Sequence, residues 1–293
     1  MEDMNRRGTV TPLRAAAAKG RRSTLAIVIP ALNEADNIPG VMESIPLREL
    51  ALAGYETEVL IVDNGSTDGT AAIARECGAR VIVQPVRGYG SAYKAGFANC
   101  SADLIATGDA DLTYPFEILP EVLHLVDECG LDFVSTNRLE CRDRTAMTPS
   151  HVVGNVVLTA VSRALFRGGF QDSQSGMWIF RRAIWDQLHV ESNGMAFSQE
   201  IKNEALVRGF RCAELPIAYR PRGGEKKLHA VRDGARNAGQ LLTHRLRSGK
   251  SVAAVNANLR LPASAMVGAA TIDLVAMERD LSTSAELASV AAD

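Results

Sequence analysis

The stretch TLAIVIPALNE, residues 24–34, begins with a continuous apolar run and ends in polar residues. Ile27, Val28 and Ile29 are β-branched, and an apolar run without alternation is typical of a strand that is buried on both faces of its sheet. Sheets of this kind are mainly parallel and are covered by helices on each side. The stretch therefore predicts an α/β protein.

The following hundred residues repeat this alternation of apolar runs with segments of helical spacing. Further strands are predicted at 57–63, 79–84, 103–109 and 131–137, and helices at 34–50, 69–78, 90–100 and 116–129. Strands that alternate with helices are joined by right-handed crossovers and form a mainly parallel sheet. We expect a single domain over residues 24–247, preceded by a flexible basic tail at 1–23 and followed by a helical, partly disordered extension at 248–293.

The composition is that of a soluble globular protein. The chain has 293 residues, of which 46% are hydrophobic and 23% charged, and its net charge of −2 gives no reason to expect a nucleic-acid partner. Its five cysteines are scattered without a CxxC pair, which predicts free thiols in a reducing compartment. No secretory signal or membrane-spanning segment is recognisable. We predict a cytoplasmic protein and leave open a peripheral contact with the inner face of the cell membrane.

Polar loops follow the first four predicted strands. They contain ALNE (31–34), VDNGSTDGT (62–70), QPVRGYG (84–90) and GDADLTYP (108–115). The carboxyl ends of parallel strands lie at one edge of a sheet, and ligands bind there where the strand order reverses. We therefore expect one site at this edge, formed by the charged residues of these loops: Glu34, Asp63, Asp68, Arg87, Asp109 and Asp111.

Asp109 and Asp111 stand one residue apart directly after a buried strand. Two carboxylates so close together repel each other unless a cation neutralises them. Oxygen ligands without a His or Cys cluster favour Mg²⁺ or Mn²⁺ over zinc. Because Mg²⁺ is usually bound by one or two carboxylates together with phosphate oxygens of the substrate, the pair predicts a site for a metal diphosphate.

Two common diphosphate sites are excluded by their missing glycine patterns. The chain has no GxxxxGK[ST] motif, and PALNE stands after the first strand where a dinucleotide site would have GxGxxG. Gly88 and the start of the next helix can still hold phosphate oxygens, and Asp63 can accept hydrogen bonds from a base or ribose. A nucleotide-sugar site remains.

These four loops, in this order, resemble family 2 glycosyltransferases of the GT-A fold. In the second half DSQSGMWIFRR (172–182), FSQEI (197–201) and ELPIAYRPRGGEKKL (214–228) resemble the branch that transfers hexoses to polyprenyl or dolichyl phosphate. The resemblance covers about residues 24–247. It implies a Rossmann-like, mainly parallel sheet flanked by helices in a single catalytic domain. It also implies an inverting, metal-dependent transfer of a hexose from a donor of the GDP-mannose or UDP-glucose type.

The resemblance also implies roles for individual positions. It assigns metal binding to Asp109 and Asp111. On the donor side it implies Pro30, Ala31, Asn33, Glu34, Asp63, Asp68, Arg87, Gly88, Asp109 and Ala110. On the acceptor side it implies Arg138, Gln174, Ser175 and Lys227, and as catalytic residues Asp111, Asp172 and Arg222. Thr113 departs from the family, in which this position is often Gln.

Several points stay open from the sequence. Asp172 is either a general base for a hydroxyl acceptor or a residue that orients cations for a phosphate acceptor. The acceptor itself is polyprenyl phosphate or a small hydroxylated or phosphorylated metabolite. A nucleotide-sugar-binding protein without transfer activity is the alternative from another class.

The segment HVVGNVVLTAVSRALF (151–166) predicts a helix that is apolar over much of its circumference. Its default place is the core. Our hypothesis is that it makes a homodimer contact or docks on a membrane surface together with the tail after Ala253. His124, His189 and His244, which lie on helical segments away from the motifs, are expected at the surface.

Overall fold

The computed structural model describes residues 22–140, 146–223, 230–248 and 259–260. The predicted tail at 1–23 and the predicted extension at 248–293 lie almost entirely outside these residues. Within them, no helix is both long enough and apolar enough to cross a lipid bilayer. The four cysteines that the structure describes are free thiols, as predicted.

The described strands form one mixed, mainly parallel sheet in the order β3-β2-β1-β4-β6-β5-β7-β8. All five strands predicted from the sequence are present. The strands are β1 (Ser23–Ala31), β2 (Tyr55–Asp63), β3 (Arg80–Val83), β4 (Leu104–Thr107), β5 (Phe133–Asn137), β6 (Trp178–Arg181), β7 (Cys212–Pro216) and β8 (Leu259–Arg260).

Helices cover both faces of the sheet. They are α1 (Ile38–Ser44), α2 (Leu47–Leu52), α3 (Thr70–Glu76), α4 (Tyr89–Ala98), α5 (Leu119–Glu128), α6 (Pro149–Leu165), α7 (Arg182–Trp185), α8 (Phe197–Val207) and α9 (Ala230–Arg247). The helix predicted at 34–50 is two short helices, because Pro46 cannot continue a helix and instead precedes the first turn of α2.

Strand β1 is buried on both faces, as its continuous apolar run predicts. Leu25, Ile27 and Ile29 pack into one hydrophobic cluster, and Ala26 and Val28 pack into a second cluster on the opposite face. Successive side chains of a strand point to opposite faces, so a strand between two layers of helices must be apolar at every position.

Strand β6 is antiparallel to its neighbours β4 and β5, whereas β7 is parallel to β5. Because β6 runs in the opposite direction, the segment before it, residues 172–177, lies at the same edge as the segments that follow β4, β5 and β7. The sequence did not predict this reversal. It brings the DSQSG loop to the edge that carries Asp109 and Asp111.

Helix α8 is buried along its length although it is largely polar. Two of its carboxylates pair with α9: Glu200 Oε1 lies 2.7 Å from Arg247 Nη2, and Glu204 Oε1 lies 2.9 Å from His244 Nε2. His244 is fully buried and also packs against the ring of Phe166. The expectation of a surface histidine at this position is therefore wrong.

Candidate active site

Two adjoining cavities open at the carboxyl edge of the sheet. The smaller has a volume of about 240 Å³, and the larger has a volume of about 570 Å³. The residues that line both are Tyr89, Asp109, Asp111, Met195 and Arg222. The acidic pair therefore stands at the boundary between the two cavities.

The smaller cavity is formed by the loops that follow β1, β2, β3 and β4, and most residues predicted for the donor side line it. These are Pro30, Ala31, Glu34, Arg87, Gly88, Asp109 and Ala110. Asn64, Tyr89 and Met195 also line it, although the sequence analysis did not single them out. Asn64 lies inside the motif VDNGSTDGT and Tyr89 inside RGYG, so these motifs could have indicated both residues as part of the site. Met195 lies outside the motifs, and the sequence did not indicate it.

Three residues predicted for the donor side do not line this cavity. Their side chains accept backbone hydrogen bonds within the loops after β1 and β2: Asp63 from Ser66 (3.0 Å), Asn33 from Thr67 (2.8 Å) and Asp68 from Ala35 (3.0 Å). These contacts hold the two loops against each other. The structure therefore shows Asn33, Asp63 and Asp68 shaping the loops after β1 and β2, and their predicted contact with the donor stays a prediction.

Gly88 lets the chain pass close to a neighbouring loop. Its φ is +147°, and a Cβ atom at this position would lie 2.2 Å from the carbonyl oxygen of Asn193. A side chain would therefore clash with backbone that cannot easily move. Since Gly88 lines the smaller cavity just before α4, this close approach shapes the part of the wall that the sequence predicts to hold phosphate oxygens.

Hydrogen bonds fix the orientation of both carboxylates of the acidic pair. Tyr89 donates its hydroxyl hydrogen to Asp109 Oδ1 over 3.1 Å, and Thr113 donates to Asp111 Oδ1 over 2.6 Å. Burial and the nearby charge of Asp111 raise the pKa of Asp109 to about 7. The two carboxylates thus interact strongly enough that a cation between them would relieve their repulsion.

Arg222 lies against the acidic pair. Its Nη2 donates to Glu34 Oε1 over 3.0 Å, and its Nη1 lies 3.5 Å from Asp111 Oδ2. Its Nε is buried without a hydrogen-bond partner among the described atoms. The backbone around it is held by hydrogen bonds from Arg220 to the Thr113 carbonyl and from Gly223 to the Asp111 carbonyl, both 3.0 Å.

The acidic pair suits a hard divalent cation that is shared with a substrate. Among the residues that the structure describes, no group of three His, Cys, Asp or Glu side chains comes together to bind a metal. Two carboxylates alone are the number that Mg²⁺ usually takes from a protein when substrate phosphates supply further oxygens. Asp109 and Asp111 would hold such an ion through their carboxylate oxygens.

The larger cavity is lined by both polar and apolar side chains. The polar side chains include Arg138, Gln174 and Asn237, together with the aromatic Tyr114 and Tyr219. The apolar side chains come from α6 through Val153, Val157 and Leu158 and from α9 through Ala238, and α6 also contributes the polar Ser150, His151 and Asn155. The cavity therefore combines a guanidinium group with an extended aliphatic surface.

Asp172 holds Arg138 in place. The two groups form a bidentate pair, with Arg138 Nε 2.7 Å from Asp172 Oδ2 and Nη2 2.9 Å from Oδ1. Burial alone would raise the pKa of Asp172, but Arg138 lowers it below its ordinary value. Asp172 is fully buried and does not line either cavity. It is thus placed to orient Arg138 and is poorly placed to take a proton from an acceptor.

Two further charged residues support the DSQSG loop from inside the protein, and sequence analysis missed both. Lys202 Nζ donates to the Asp172 carbonyl over 2.8 Å, and Glu214 Oε1 accepts from the Asp172 amide over 2.9 Å. Burial lowers the pKa of Lys202 and raises that of Glu214. Their contacts with Asp172 join residues 30 and 42 positions apart, so the local sequence did not indicate these roles.

The remaining predicted acceptor residues differ in their positions. Gln174 lines the larger cavity and donates to Gln199 Oε1 over 2.9 Å, while Asn237 donates to Gln174 Oε1 over 3.0 Å. Ser175 is fully buried against Thr136, at 2.7 Å between their hydroxyl oxygens, and does not line the larger cavity, so the structure shows a packing contact and its predicted contact with the acceptor stays a prediction. Lys227 lies outside the described residues.

A mainly parallel sheet with one reversed strand, and an acidic pair between two cavities, define a glycosyltransferase of the GT-A class. The chain belongs to glycosyltransferase family 2, because the family model described as "Glycosyl transferase family 2" matches residues 26–188.

Curated relatives agree with this family. The chain is 38% identical to the low-salt glycan biosynthesis hexosyltransferase Agl6 of Haloferax volcanii over an aligned region of 225 residues. This region covers 75% of this chain and 54% of that protein. It is 35% identical to a dolichyl-phosphate hexose transferase of the same organism over an aligned region of 212 residues. This region covers 72% of this chain and 89% of that protein. The chain thus spans about half the length of the first relative and most of the second.

Solved structures share the fold. Glucosyl-3-phosphoglycerate synthase from Mycobacterium tuberculosis, crystallised with Mn²⁺, UDP and glucosyl-3-phosphoglycerate, superposes with a TM-score of 0.57 at 24% identity over 77% of this chain and 80% of that chain. Mannosyl-3-phosphoglycerate synthase from Rubrobacter xylanophilus superposes with a TM-score of 0.57 at 20% identity over 77% and 74%. At these identities the likeness establishes the fold alone.

Proposed function

We propose that this glycosyltransferase moves a hexose from a nucleotide sugar to a polyprenyl phosphate, with Mg²⁺ or Mn²⁺ bound at Asp109 and Asp111. The observation that carries the proposal is that Arg138 lines a cavity that is also lined by aliphatic side chains of α6. A guanidinium group binds phosphate by paired hydrogen bonds, and an aliphatic wall suits an isoprenoid chain. The similarity to a dolichyl-phosphate hexose transferase supports the same acceptor class.

The smaller cavity takes the nucleoside diphosphate of the donor in this proposal. Gly88 and the first turn of α4 lie where phosphate oxygens can approach backbone N–H groups. A cation held by Asp109 and Asp111 would supply positive charge that stabilises the leaving diphosphate. Arg222, which is already 3.5 Å from Asp111, adds a second positive charge beside the leaving group.

The larger cavity orients the acceptor for a single displacement. An ionised oxygen of the lipid phosphate attacks the anomeric carbon and forms a new C–O bond while the bond to the nucleoside diphosphate breaks. The configuration inverts, and the nucleoside diphosphate leaves with the electron pair. An ionised phosphate needs no general base. This agrees with Asp172, whose carboxylate is buried and bound to Arg138.

Transfer assays with three acceptors test the proposal. Radiolabelled GDP-mannose and UDP-glucose are each incubated with a short polyprenyl phosphate, the matching polyprenol, or 3-phosphoglycerate, with Mn²⁺ present. We expect label only in the polyprenyl phosphate product and no transfer in EDTA. Transfer to 3-phosphoglycerate alone would instead support a soluble phosphorylated acceptor. Donor binding without transfer to any acceptor would support a nucleotide-sugar-binding protein.

Asp111→Ala provides the matched loss of function. We expect its transfer rate to fall by at least about 100-fold, because the cation and the diphosphate charge lose a ligand. Asp186→Ala is the control, since Asp186 forms an exposed pair with Arg182 far along the sequence from the acidic pair. A normal rate for Asp111→Ala would contradict the metal assignment.

The proposal keeps the predicted cytoplasmic location and the predicted catalytic domain at 24–247.

A further inference from the structure

Helices α6 and α9 carry most of the large apolar side chains that are exposed in the described part of the chain. The exposed fractions are 62% for Val153, 50% for Val156, 55% for Val157, 54% for Leu242 and 81% for Leu246. Their spacing of three or four residues places them on one stripe of each helix. These apolar stripes are not covered by any described part of the protein.

The two stripes lie on neighbouring helices. In the first half of each helix, Gly154 and Asn237 line the same cavity, and near their ends Arg245 Nε donates to the Leu165 carbonyl over 3.0 Å. The helices therefore run in the same direction. We refer to the exposed residues Val153, Val156, Val157, Leu242 and Leu246 together as the α6–α9 surface.

The charge on these helices is almost entirely positive. Whereas the whole chain has a net charge of −2, the residues of α6 and α9 whose side chains the structure describes include four arginines, Arg163, Arg236, Arg245 and Arg247, and no acidic residue. Arg247 pairs with the buried Glu200 and with the exposed Glu191, and Arg236 is exposed. Aliphatic side chains beside arginines match a bilayer of anionic lipids, in which acyl chains lie beneath negative phosphates.

The mouth of the larger cavity lies within the α6–α9 surface. Val153 and Val157 are more than half exposed, and both also line this cavity. A lipid phosphate that approaches from this side would therefore meet an aliphatic rim before it reaches Arg138.

We propose that the α6–α9 surface docks on an anionic lipid bilayer and turns the mouth of the larger cavity toward it. The use of this orientation for acceptor binding rests on the proposed lipid acceptor. Docking on the bilayer does not depend on that proposal. Docking in this way lets the phosphate enter the cavity while the isoprenoid chain stays in or next to the bilayer.

Vesicle co-sedimentation of the full chain tests the docking. The vesicles contain phosphatidylcholine alone or with about 30% phosphatidylglycerol, and they contain neither donor nor polyprenyl phosphate. The test variant is Val156→Gln with Leu246→Gln, and the control is Val83→Gln with Leu52→Gln. The control residues are similarly exposed, at 60% and 79%, and none of the four residues lines either cavity.

We expect the original protein and the control to bind anionic vesicles and the test variant to bind at least about tenfold more weakly, because it places amides where aliphatic groups would enter the membrane. Added NaCl should weaken binding by screening the arginines. Equal binding of test and control variants would overturn the proposal, and so would absence of binding by the original protein. A dimer detected by light scattering that the test variant converts to monomer would also overturn it, because a second copy would then cover the surface.

The same measurements separate this inference from the proposed function. Vesicle binding that is lost in the test variant, without transfer to polyprenyl phosphate in detergent, supports docking and contradicts the lipid acceptor. Transfer to polyprenyl phosphate in detergent, without vesicle binding, contradicts docking and leaves the acceptor assignment intact.

Discussion

Arg222 and Asp111 face each other at the boundary between the two cavities, with 3.5 Å between Nη1 and Oδ2. The guanidinium therefore sits beside a carboxylate that is expected to bind a divalent cation. Because Glu34 holds the same guanidinium at 3.0 Å, Arg222 keeps an anionic anchor even if Asp111 turns to a metal. The arrangement places one cation of the protein where the diphosphate charge of a donor would arrive.

Arg222→Gln should lower the transfer rate by about 100-fold or more, because the leaving diphosphate loses a neighbouring positive charge. Steady-state kinetics at saturating donor measures this change. Arg220→Gln is the control, since Arg220 pairs with Glu117 where both side chains are 45% exposed. Exposed pairs of this kind contribute little, so its rate should stay within about twofold. Similar rates for the two variants would remove Arg222 from the catalytic residues.

Asp109→Asn should stabilise the metal-free protein at high pH. Burial and the charge of Asp111 raise the pKa of Asp109 from 3.8 to about 7. The folded state therefore keeps a proton that the unfolded chain loses above about pH 4, and the free energy of unfolding falls as the pH rises from about 4 to about 7. Asparagine escapes this loss. The variant should gain up to about 4 kcal/mol at about pH 8 and almost nothing at about pH 4.

Urea unfolding in EDTA at these two pH values measures the difference. Asp186→Asn is the matched control, because its exposed carboxylate should change the free energy of unfolding by less than about 1 kcal/mol at either pH. A pH-independent effect of Asp109→Asn would show that the two carboxylates do not interact as the structure indicates.

Asp172→Asn should destabilise the protein and slow transfer together. Removing one partner of a buried ion pair leaves the other charge uncompensated and costs about 3–5 kcal/mol. Asp186→Asn is the control, because Asp186 is 68% exposed in its pair with Arg182 and its substitution should cost less than about 1 kcal/mol. Thermal unfolding and kinetics are measured on the same samples. A variant with unchanged stability that loses only its rate would favour the general-base role for Asp172.

Gln199→Ala should raise the KM for the acceptor several-fold while the KM for the donor stays unchanged. Gln199 accepts from Gln174 and donates to the Asn237 carbonyl over 2.7 Å, and both of these residues line only the larger cavity. Loss of this amide releases both residues from their positions. Gln187→Ala is the control, since Gln187 is exposed and bonds only within its own turn to Ala183. Equal changes in both KM values would indicate a general loss of packing.

Gly176→Ala should lower the transfer rate by weakening the metal site at Asp109. A Cβ atom at Gly176 would lie 2.3 Å from the Tyr89 hydroxyl, which donates to Asp109. Tyr89 must then move, and Asp109 loses the hydrogen bond that orients it. Titration with Mn²⁺ should show weaker binding by about tenfold, in line with the usual effect of removing a group that supports a metal ligand. Gly239→Ala, which would meet nothing within 4 Å, should leave Mn²⁺ binding unchanged.

The parallel part of the sheet was predictable because its strands carry their own signal. β1 and β4 are short continuous apolar runs and β2 ends in one, and these strands with the loops after them contain eight of the fourteen residues that line the smaller cavity. Strand β6 was missed because its four residues, WIFR, follow a polar loop and have no alternation of their own. Its direction is decided by pairing with β4 and β5, whose residues are distant in sequence.

The acceptor side was predictable only in part, for the same physical reason. Arg138 and Gln174 were found through motifs, but the contact of Asp172 with Arg138 joins residues 34 positions apart. Helix α8 has the composition of an exposed helix, yet its polar groups are satisfied by α9 and its burial follows from that pairing.

The two cavities differ in how much of the chain builds them. Apart from Met195 and Arg222, every residue that lines the smaller cavity lies between positions 30 and 111. The larger cavity draws on segments scattered from position 89 to position 238. A hybrid enzyme that takes residues 23–111 from a relative would therefore inherit nearly a whole donor wall as one exchangeable block. A change of acceptor, by contrast, requires coordinated replacements throughout the second half of the gene product.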